Sequence, residues 1–316
     1  MQPLRWRAAP ILKEDEIGPL PGLYPGVQTE ANRRCAGVNG CSRGILTDRP
    51  ATRLTCGPHG DYDVGMMHWT GHVRRAANDL MRACRDLLYP PRCVHCDADL
   101  PDHDRAWLLC GDCLAKLGPA MWHGCRRCGG ELLEGRPAPD RCPSCQDTKL
   151  WFDSVTPLGG YHAGLRDVVL SMKRTSHDAL TTAMGQLLVQ RRREHLADVR
   201  ADMVVPIPMF WGRRLHRGKN SPEMLARCLA ESLGVPMRPS ILVRLRNTLP
   251  QAGLAPSRRF QNVHGAFRVR RPDAVRGARV LLVDDVLTTG ATCSEAARML
   301  KQAGATMVAV AVVARA

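Results

Sequence analysis

Two groups of residues in this chain have the types and spacing to do chemistry. The first is Val280-Leu281-Leu282-Val283-Asp284-Asp285-Val286-Leu287-Thr288-Thr289-Gly290-Ala291-Thr292. A short apolar run meets two acids and then a loop of small polar residues. The apolar spacing of Ala297, Leu300 and Ala303 predicts a helix over Ser294 to Ala303, with Gly304 placed to stop it. A buried strand ending in paired carboxylates, then a phosphate-sized loop at a helix N-terminus, suits a sugar phosphate. Loop N–H groups and the helix dipole favour the anion, and the carboxylates of Asp284 and Asp285 can accept hydrogen bonds from neighbouring sugar hydroxyls. A phospho-acceptor receiver also carries an acidic pair, but it has no use for Thr-Thr-Gly-Ala-Thr after its acids.

The second group is eight cysteines in four C-x-x-C pairs: Cys93/Cys96, Cys110/Cys113, Cys125/Cys128 and Cys142/Cys145. The later four repeat the earlier four at a shift of 32 residues, and each half reads C-x2-C-x13-C-x2-C. Two facing knuckles of this kind make a closed tetrahedral S4 site, the natural home of a structural zinc ion. The repeat favours two sequential sites, Cys93, Cys96, Cys110 and Cys113 on one zinc and Cys125, Cys128, Cys142 and Cys145 on the other. An interleaved cross-brace and an iron–sulfur cluster stay open as alternatives. His95 sits inside the first knuckle and reads as exposed, because four thiolates already complete the site. Ribbons this small have little core of their own and depend on the metal to fold. Of the other cysteines, Cys84, Cys228 and Cys293 fall in helical patterns and read as small core residues. The spacing of Cys35, Cys41, Cys56 and His59 is too irregular for a site.

The chain has 316 residues, ample apolar content at 44%, and a formal charge of +15. That charge favours anionic partners without choosing among phosphates, nucleic acid and acidic lipid. Aromatic residues make up only 4%, so a stacking platform for bases is poorly supplied. There is no apolar run of membrane-spanning length and no signal-peptide pattern at the start, which leads to an expected cytoplasmic location. Disulfides are unusual there, which favours metal over a disulfide framework for the cysteine array.

The elements that must position these groups follow from pattern. Residues 1–80 lack sustained periodicity and read as a poorly ordered extension, with Met66, Met67 or Met81 as possible natural starts. Helical spacing runs from Val73 to Leu88. The ribbons occupy 84–149, and residues 151–316 alternate strand and helix. Trp151 to Pro157 reads as linker and first strand. Leu165 to Met172 and Ala179 to Leu196 read as helices. Asp202 to Pro208 reads as a strand entering a proline-stiffened loop, and Ser221 to Gly234 as a helix capped by Ser221 with Pro222 in its first turn. Val280 to Val283 and Met307 to Val313 read as buried parallel strands. The expected fold is α/β, a parallel sheet with helices on both faces, with its ligand at the carboxyl ends of the strands.

The stretch from Val280 to Thr292 resembles the phosphoribosyl-pyrophosphate signature of type I phosphoribosyltransferases. A double zinc ribbon followed by such a domain is similar to the competence protein F (ComF) family, over about residues 84 to 316. Further motifs carry the resemblance. Val205-Pro206-Ile207-Pro208 with Arg213-Arg214-Leu215 and Arg217-Gly218-Lys219-Asn220 is similar to that family's pyrophosphate loop. Pro250-Gln251-Ala252-Gly253-Leu254, with Arg258, Arg259, Asn262, Gly265 and Phe267, is similar to its hood segment. Tyr161, Leu165 and Arg166, followed by Lys173-Arg174, are similar to the entry of its transferase domain. Lys219 and Ser221 depart from the aromatic and Gln usual around that Asn.

The resemblance implies phosphoribosyl pyrophosphate as ligand with magnesium and about two structural zinc ions. Asp284 and Asp285 would hold the ribose hydroxyls. Thr288, Thr289, Gly290, Ala291 and Thr292 would wrap the 5-phosphate. Lys173, Arg213, Arg214 and Lys219 would face the pyrophosphate, with Arg258 and Arg259 closing from the hood. It implies a phosphoribosyltransferase with an unidentified acceptor, in the setting of DNA uptake and natural transformation. The other reading is a non-catalytic adaptor or sensor that binds the sugar phosphate and contacts single-stranded DNA or a helicase partner, through the ribbons. No side chain declares itself a general base. An amidotransferase role is disfavoured, since residue 2 is Gln rather than a terminal cysteine nucleophile.

Overall fold

The computed structural model of the chain describes residues 77, 80–81, 83–101, 104–119, 121–132, 141–173, 178–210, 212, 220–248 and 254–316. The expectations for residues 1–76 fall outside these. Asp86–Ala316 form one compact unit, distinct from Met1–Arg85. Within the described part of the first unit, residues 77, 80–81 and 83–85 are helical, in keeping with their apolar spacing. Cys84 is exposed there, which corrects its reading as a core residue.

The compact unit is built on four parallel strands: β1 (Ser154–Gly160), β2 (Met203–Pro206), β5 (Arg279–Leu287) and β6 (Met307–Arg315), in the order β1-β6-β5-β2. Their apolar residues alternate between two cores, as the two-residue period of a strand demands. Leu281, Val283, Ala309, Ala311 and Val204 face one core, whereas Val280, Leu282, Val308, Val310 and Val205 face the other. The first face is covered by α2 (Ala163–Met172), α3 (Asp178–Arg191), α4 (Arg193–Val199) and α5 (Ser221–Leu233). The second is covered by α7 (Ala291–Gln302) and by the antiparallel pair β3 (Leu242–Arg244) and β4 (Phe267–Val269). A short helix, α6 (Pro256–Val263), precedes β4. The parallel α/β sheet with helices on both faces is as the strand patterns imply.

The ribbons do not stand apart from this sheet. Cys93 and Cys113, with Leu100, Leu109 and the end of α1 (Gly111–Leu117), share the first core with Leu158 and Leu165. Cys125, Cys128, Cys142 and Cys145 share the second core with Leu282, Phe152 and Cys293. The two halves of the cysteine repeat are thus sorted to opposite faces of one sheet. A ribbon too small to bury its own apolar surface buries it against the strands instead.

Three local expectations change. The stretch Ala179 to Leu196 is two helices that meet at Arg192, a buried residue whose guanidinium donates to the carbonyls of Pro157, Leu158 and Pro119 at 3.0, 2.5 and 3.1 Å. Burial, then the charge of Arg191, pull its pKa down to about 10. The N-cap of α5 is Asn220, not Ser221: Ser221 is the first helical residue and its hydroxyl donates to the Met172 carbonyl at 3.0 Å. Strand β5 does not stop at Val283 but continues through the acids to Leu287, because β6 is equally long and pairs with it to the end.

Candidate functional site

The sheet ends unevenly, and that places the acids. Pro206, the last residue of β2, pairs with Val283, so Asp284 is the first residue of β5 beyond the reach of β2. Consecutive strand residues project to opposite faces. Asp284 Oδ2 lies 3.8 Å from the Cys293 Sγ of α7, and Asp285 Oδ2 lies 3.6 Å from Lys173 Nζ at the end of α2. The pair is further ordered from within, since the Asp285 N–H donates to Asp284 Oδ1 at 2.9 Å and the Val286 N–H to Asp285 Oδ1 at 2.8 Å. Burial, then the neighbouring charge of Asp285, push the Asp284 carboxyl well above the usual carboxylate range. Cys293 is buried, and burial plus Asp284 push its thiol well up, which suits packing rather than nucleophilic attack.

The loop after β5 turns at Gly290, which has φ +79° and caps the start of α7. This left-handed conformation favours glycine. A Cβ there would also approach the Phe152 ring at 3.3 Å. The Thr289 hydroxyl accepts from the Ala291 N–H at 3.4 Å, and the Ser294 N–H closes the first helical turn onto the Gly290 carbonyl at 2.7 Å. Among the described residues, the N–H groups of Thr288 and Thr289 have no acceptor in the protein. Donors left without partners at a helix start are what an anion needs.

The floor under this loop is the chain that leaves the second ribbon. Leu150 and Phe152 pack beneath Gly290, and the Trp151 N–H donates to the Ser294 hydroxyl at 3.1 Å. Asp153 accepts from Lys301 of α7 at 2.6 Å and from the Val308 N–H at 2.8 Å. Arg127, inside a cysteine knuckle, donates to the carbonyls of Leu150 and Asp153 at 2.6 and 3.1 Å.

Each set of four cysteines comes together in sequential order, with its ligand atoms within 4.8 Å of one another. Sulfur–sulfur separations of 3.6 Å for Cys96 and Cys110, 3.5 Å for Cys128 and Cys142, and 3.8 Å for Cys125 and Cys145 are close to the edge of a tetrahedron of ligands about 2.3 Å from zinc, about 3.8 Å. All eight are free thiols. In each set one thiol is readied for deprotonation. Burial raises Cys93 and Cys142, but hydrogen bonds, led by the Cys110 backbone and the Cys128 side chain respectively, outweigh it and bring both down to about 7. The donor set, spacing and closure fit two structural zinc ions. His95 is exposed, outside the ligand set.

Of the basic residues proposed for the ligand, Lys173 stands beside Asp285, while Arg213, Arg214 and Lys219 lie outside the described residues, as do Arg174, Arg217, Gly218 and Pro250 to Gly253. Arg258 is exposed, and Arg259 donates to the Leu254 carbonyl at 3.0 Å. Two residues important to the site carry no motif. Glu295, buried on α7, accepts from the Gly265 N–H at 2.7 Å and from Arg298 at 2.6 and 2.8 Å, and so holds the end of the hood segment. Arg315, the last residue of β6, lies against the loop itself. Their only sequence signals are a lone acid on an apolar helix face and a lone cation ending an apolar strand.

Residues 84–146 match the family described as Double zinc ribbon domain, and residues 223–316 match the Phosphoribosyl transferase domain family. Over 218 residues the chain is 28% identical to Competence protein F of Haemophilus influenzae, covering 67% of this chain and 92% of that protein. Over 207 residues it is 30% identical to DNA utilization protein YhgH of Salmonella typhi, covering 65% of this chain and 88% of that protein. A shorter stretch of 85 residues is 36% identical to adenine phosphoribosyltransferase of Treponema pallidum, covering 27% of this chain and 43% of that protein.

Proposed function

The chain belongs to the competence protein F (ComF) family, and from that premise we propose that its α/β domain binds phosphoribosyl pyrophosphate with magnesium at the end of β5 and transfers the phosphoribosyl group to an acceptor. The observation that carries this is the juxtaposition at one sheet end of Asp284 and Asp285 with unpartnered N–H groups of the loop that opens α7. Asp284 and Asp285 accept from the two ribose hydroxyls. Thr288 to Thr292 hold the 5-phosphate. Lys173, with Arg213, Arg214 and Lys219, faces the pyrophosphate. Magnesium, bound with the ligand beside Asp284 and Asp285, would supply positive charge to offset that of the pyrophosphate. In the transfer, the C1–O bond to pyrophosphate breaks as the acceptor bonds to C1. Positive charge grows on the sugar, where the carboxylates lie, and negative charge on the leaving group, where the cations lie.

Calorimetric titration with magnesium and phosphoribosyl pyrophosphate tests the reading. Binding to the wild type, lost by at least about tenfold in Asp284→Asn with Asp285→Asn, is expected; turning one acceptor oxygen of each acid into an amide donor facing a hydroxyl accounts for that much. No binding by the wild type would end it. Pyrophosphate release, followed over a panel of bases and amines, separates transferase from binder.

A second reading, contact with nucleic acid, is supported by the charge distribution, and it moves the contact away from the ribbons. Residues 86–149 hold eight Lys and Arg against ten Asp and Glu. Residues 232–272 hold eight Arg and no acid. Arg268, on β4, and Arg270, just past its end, are exposed, as are Arg238 and Arg271, and among the described residues none of the four has an ion-pair partner. These arginines suit a phosphate backbone, without base stacking. Arg268→Glu with Arg270→Glu should weaken binding of a labelled single-stranded oligonucleotide at least about tenfold and flatten its salt dependence. Unchanged anisotropy titrations would return the contact to another surface.

A further inference from the structure

Arg315 spends its charge on backbone. Its Nε donates to the Cys128 carbonyl at 2.7 Å, and its Nη1 donates to the carbonyls of Leu287 and Thr288 at 3.2 and 2.6 Å. Among the described residues it has no carboxylate partner. One guanidinium therefore ties the second cysteine knuckle to the first two peptide groups of the loop. The planarity of the peptide fixes what this does. In a trans peptide the N–H points opposite to the C=O of the preceding residue. With the Leu287 and Thr288 carbonyls both turned toward Arg315, the N–H groups of Thr288 and Thr289 are both turned away from it. These are the donors without a protein acceptor. Two successive N–H groups aimed the same way form an anion-binding nest.

The knuckle end of this link is rigid. Gly129, next to Cys128, has φ +69°, and a Cβ on it would lie 2.8 Å from Val155 Cγ1, so the knuckle sits tight on β1. The Val155 N–H donates to the Arg126 carbonyl at 3.0 Å, and the Gly130 N–H to the Cys128 sulfur at 3.4 Å. The Cys128 carbonyl is thus held by the same knuckle that supplies two of the four thiolates.

We propose that Arg315 is a positioning residue that sets the phosphate loop from the second metal tetrad, so that closure of Cys125, Cys128, Cys142 and Cys145 on zinc pre-forms the nest of Thr288 and Thr289. This rests on the loop being the phosphate site. The tetrad acts on the ligand through geometry, without touching it. Lysine cannot replace Arg315, because a single ammonium on a flexible stem does not hold three carbonyls in fixed directions.

The experiment compares the zinc-loaded full chain with Arg315→Lys and Arg315→Ala. Hydrogen exchange at the amides of Ala291 and Ser294, which hydrogen bonds to Thr289 and Gly290 of the loop protect, with no ligand present, should quicken at least about tenfold in both variants, with zinc content near two per chain and exchange in the centre of β5 unchanged. Affinity for phosphoribosyl pyrophosphate with magnesium should fall by a similar factor. Cys142→Ser, which opens the tetrad but keeps Arg315, should quicken the same amides, and joining it to Arg315→Ala should add little. If Arg315→Lys retains its zinc and the loop amides exchange at the wild-type rate, the proposal is overturned. Fast loop exchange in the variants of a wild type that never binds the sugar phosphate upholds the link while refuting the ligand.

Discussion

Asp284 shows at the scale of one residue what an enclosed acid pair costs the fold. Its carboxyl is enclosed and faces Asp285, so its ionised form is disfavoured in the folded chain. A carboxyl whose folded pKa lies above the unfolded one stabilises the fold only while protonated. That stability is fully present below the unfolded value and is lost as pH rises through the folded value. Asp284→Asn should therefore raise Tm by about 2–4 °C at alkaline pH, with the gain shrinking as the pH is lowered and the wild type takes up its own proton. Thermal melts of both proteins across this pH range check it; a destabilised variant at alkaline pH would contradict the account. Asp284 and Asp285 were readable as chemistry because their neighbours form a motif. Arg315 and Glu295 were not, because a single charged residue says nothing of the carbonyls or N–H groups that distant elements bring to it.

At the scale of elements, the sheet and its helices were legible and their ends were not. Apolar runs in β5 and β6 and the spacing in α7 follow from burial, which sequence records directly. Ends depend on partners: β5 runs past its acids because β6 is there to pair with it, and Ser221 is the first residue of α5 rather than its cap, with its hydroxyl on the Met172 carbonyl. The hood is held in the same way, by Glu295 of α7 on the Gly265 N–H. Burial raises this carboxyl, but the hydrogen bonds from Arg298 and Gly265 outweigh it and leave it below its ordinary value. A lowered carboxyl gives stability that is present above the unfolded pKa and is lost as pH falls through the folded one. Glu295→Gln should cost about 1.5–3 kcal/mol at neutral pH and much less in acid, where wild type loses the same interaction. Denaturant titrations at the two pH values measure this, and an equal loss at both would show that charge is not what holds the hood.

At the scale of the molecule, the tetrads are part of the core that the sheet depends on. Cys93 and Cys113 lie in one core and Cys125, Cys128, Cys142 and Cys145 in the other. Removing zinc with a chelator under reducing conditions should lower Tm of the whole 86–316 unit in a single transition, because metal binding and folding are one equilibrium here. Calorimetry with two separated transitions, one untouched by the chelator, would instead mean independent ribbons. The same integration means that deleting residues 86–149 removes support from the transferase fold, so substitutions of the exposed arginines are the sharper way to locate nucleic acid. Among the described residues, no helix is long and apolar enough to cross a membrane. The sequence by itself determined the two motifs with residues fit for chemistry, since both the acid–loop motif and the cysteine repeat are runs of neighbours whose spacing is their geometry. Only the tertiary structure decided that the two are joined. The link runs through Arg315 and Phe152, residues far along the chain from the loop they support, and contacts of that kind exist only once the sheet has set β1, β6 and β5 side by side.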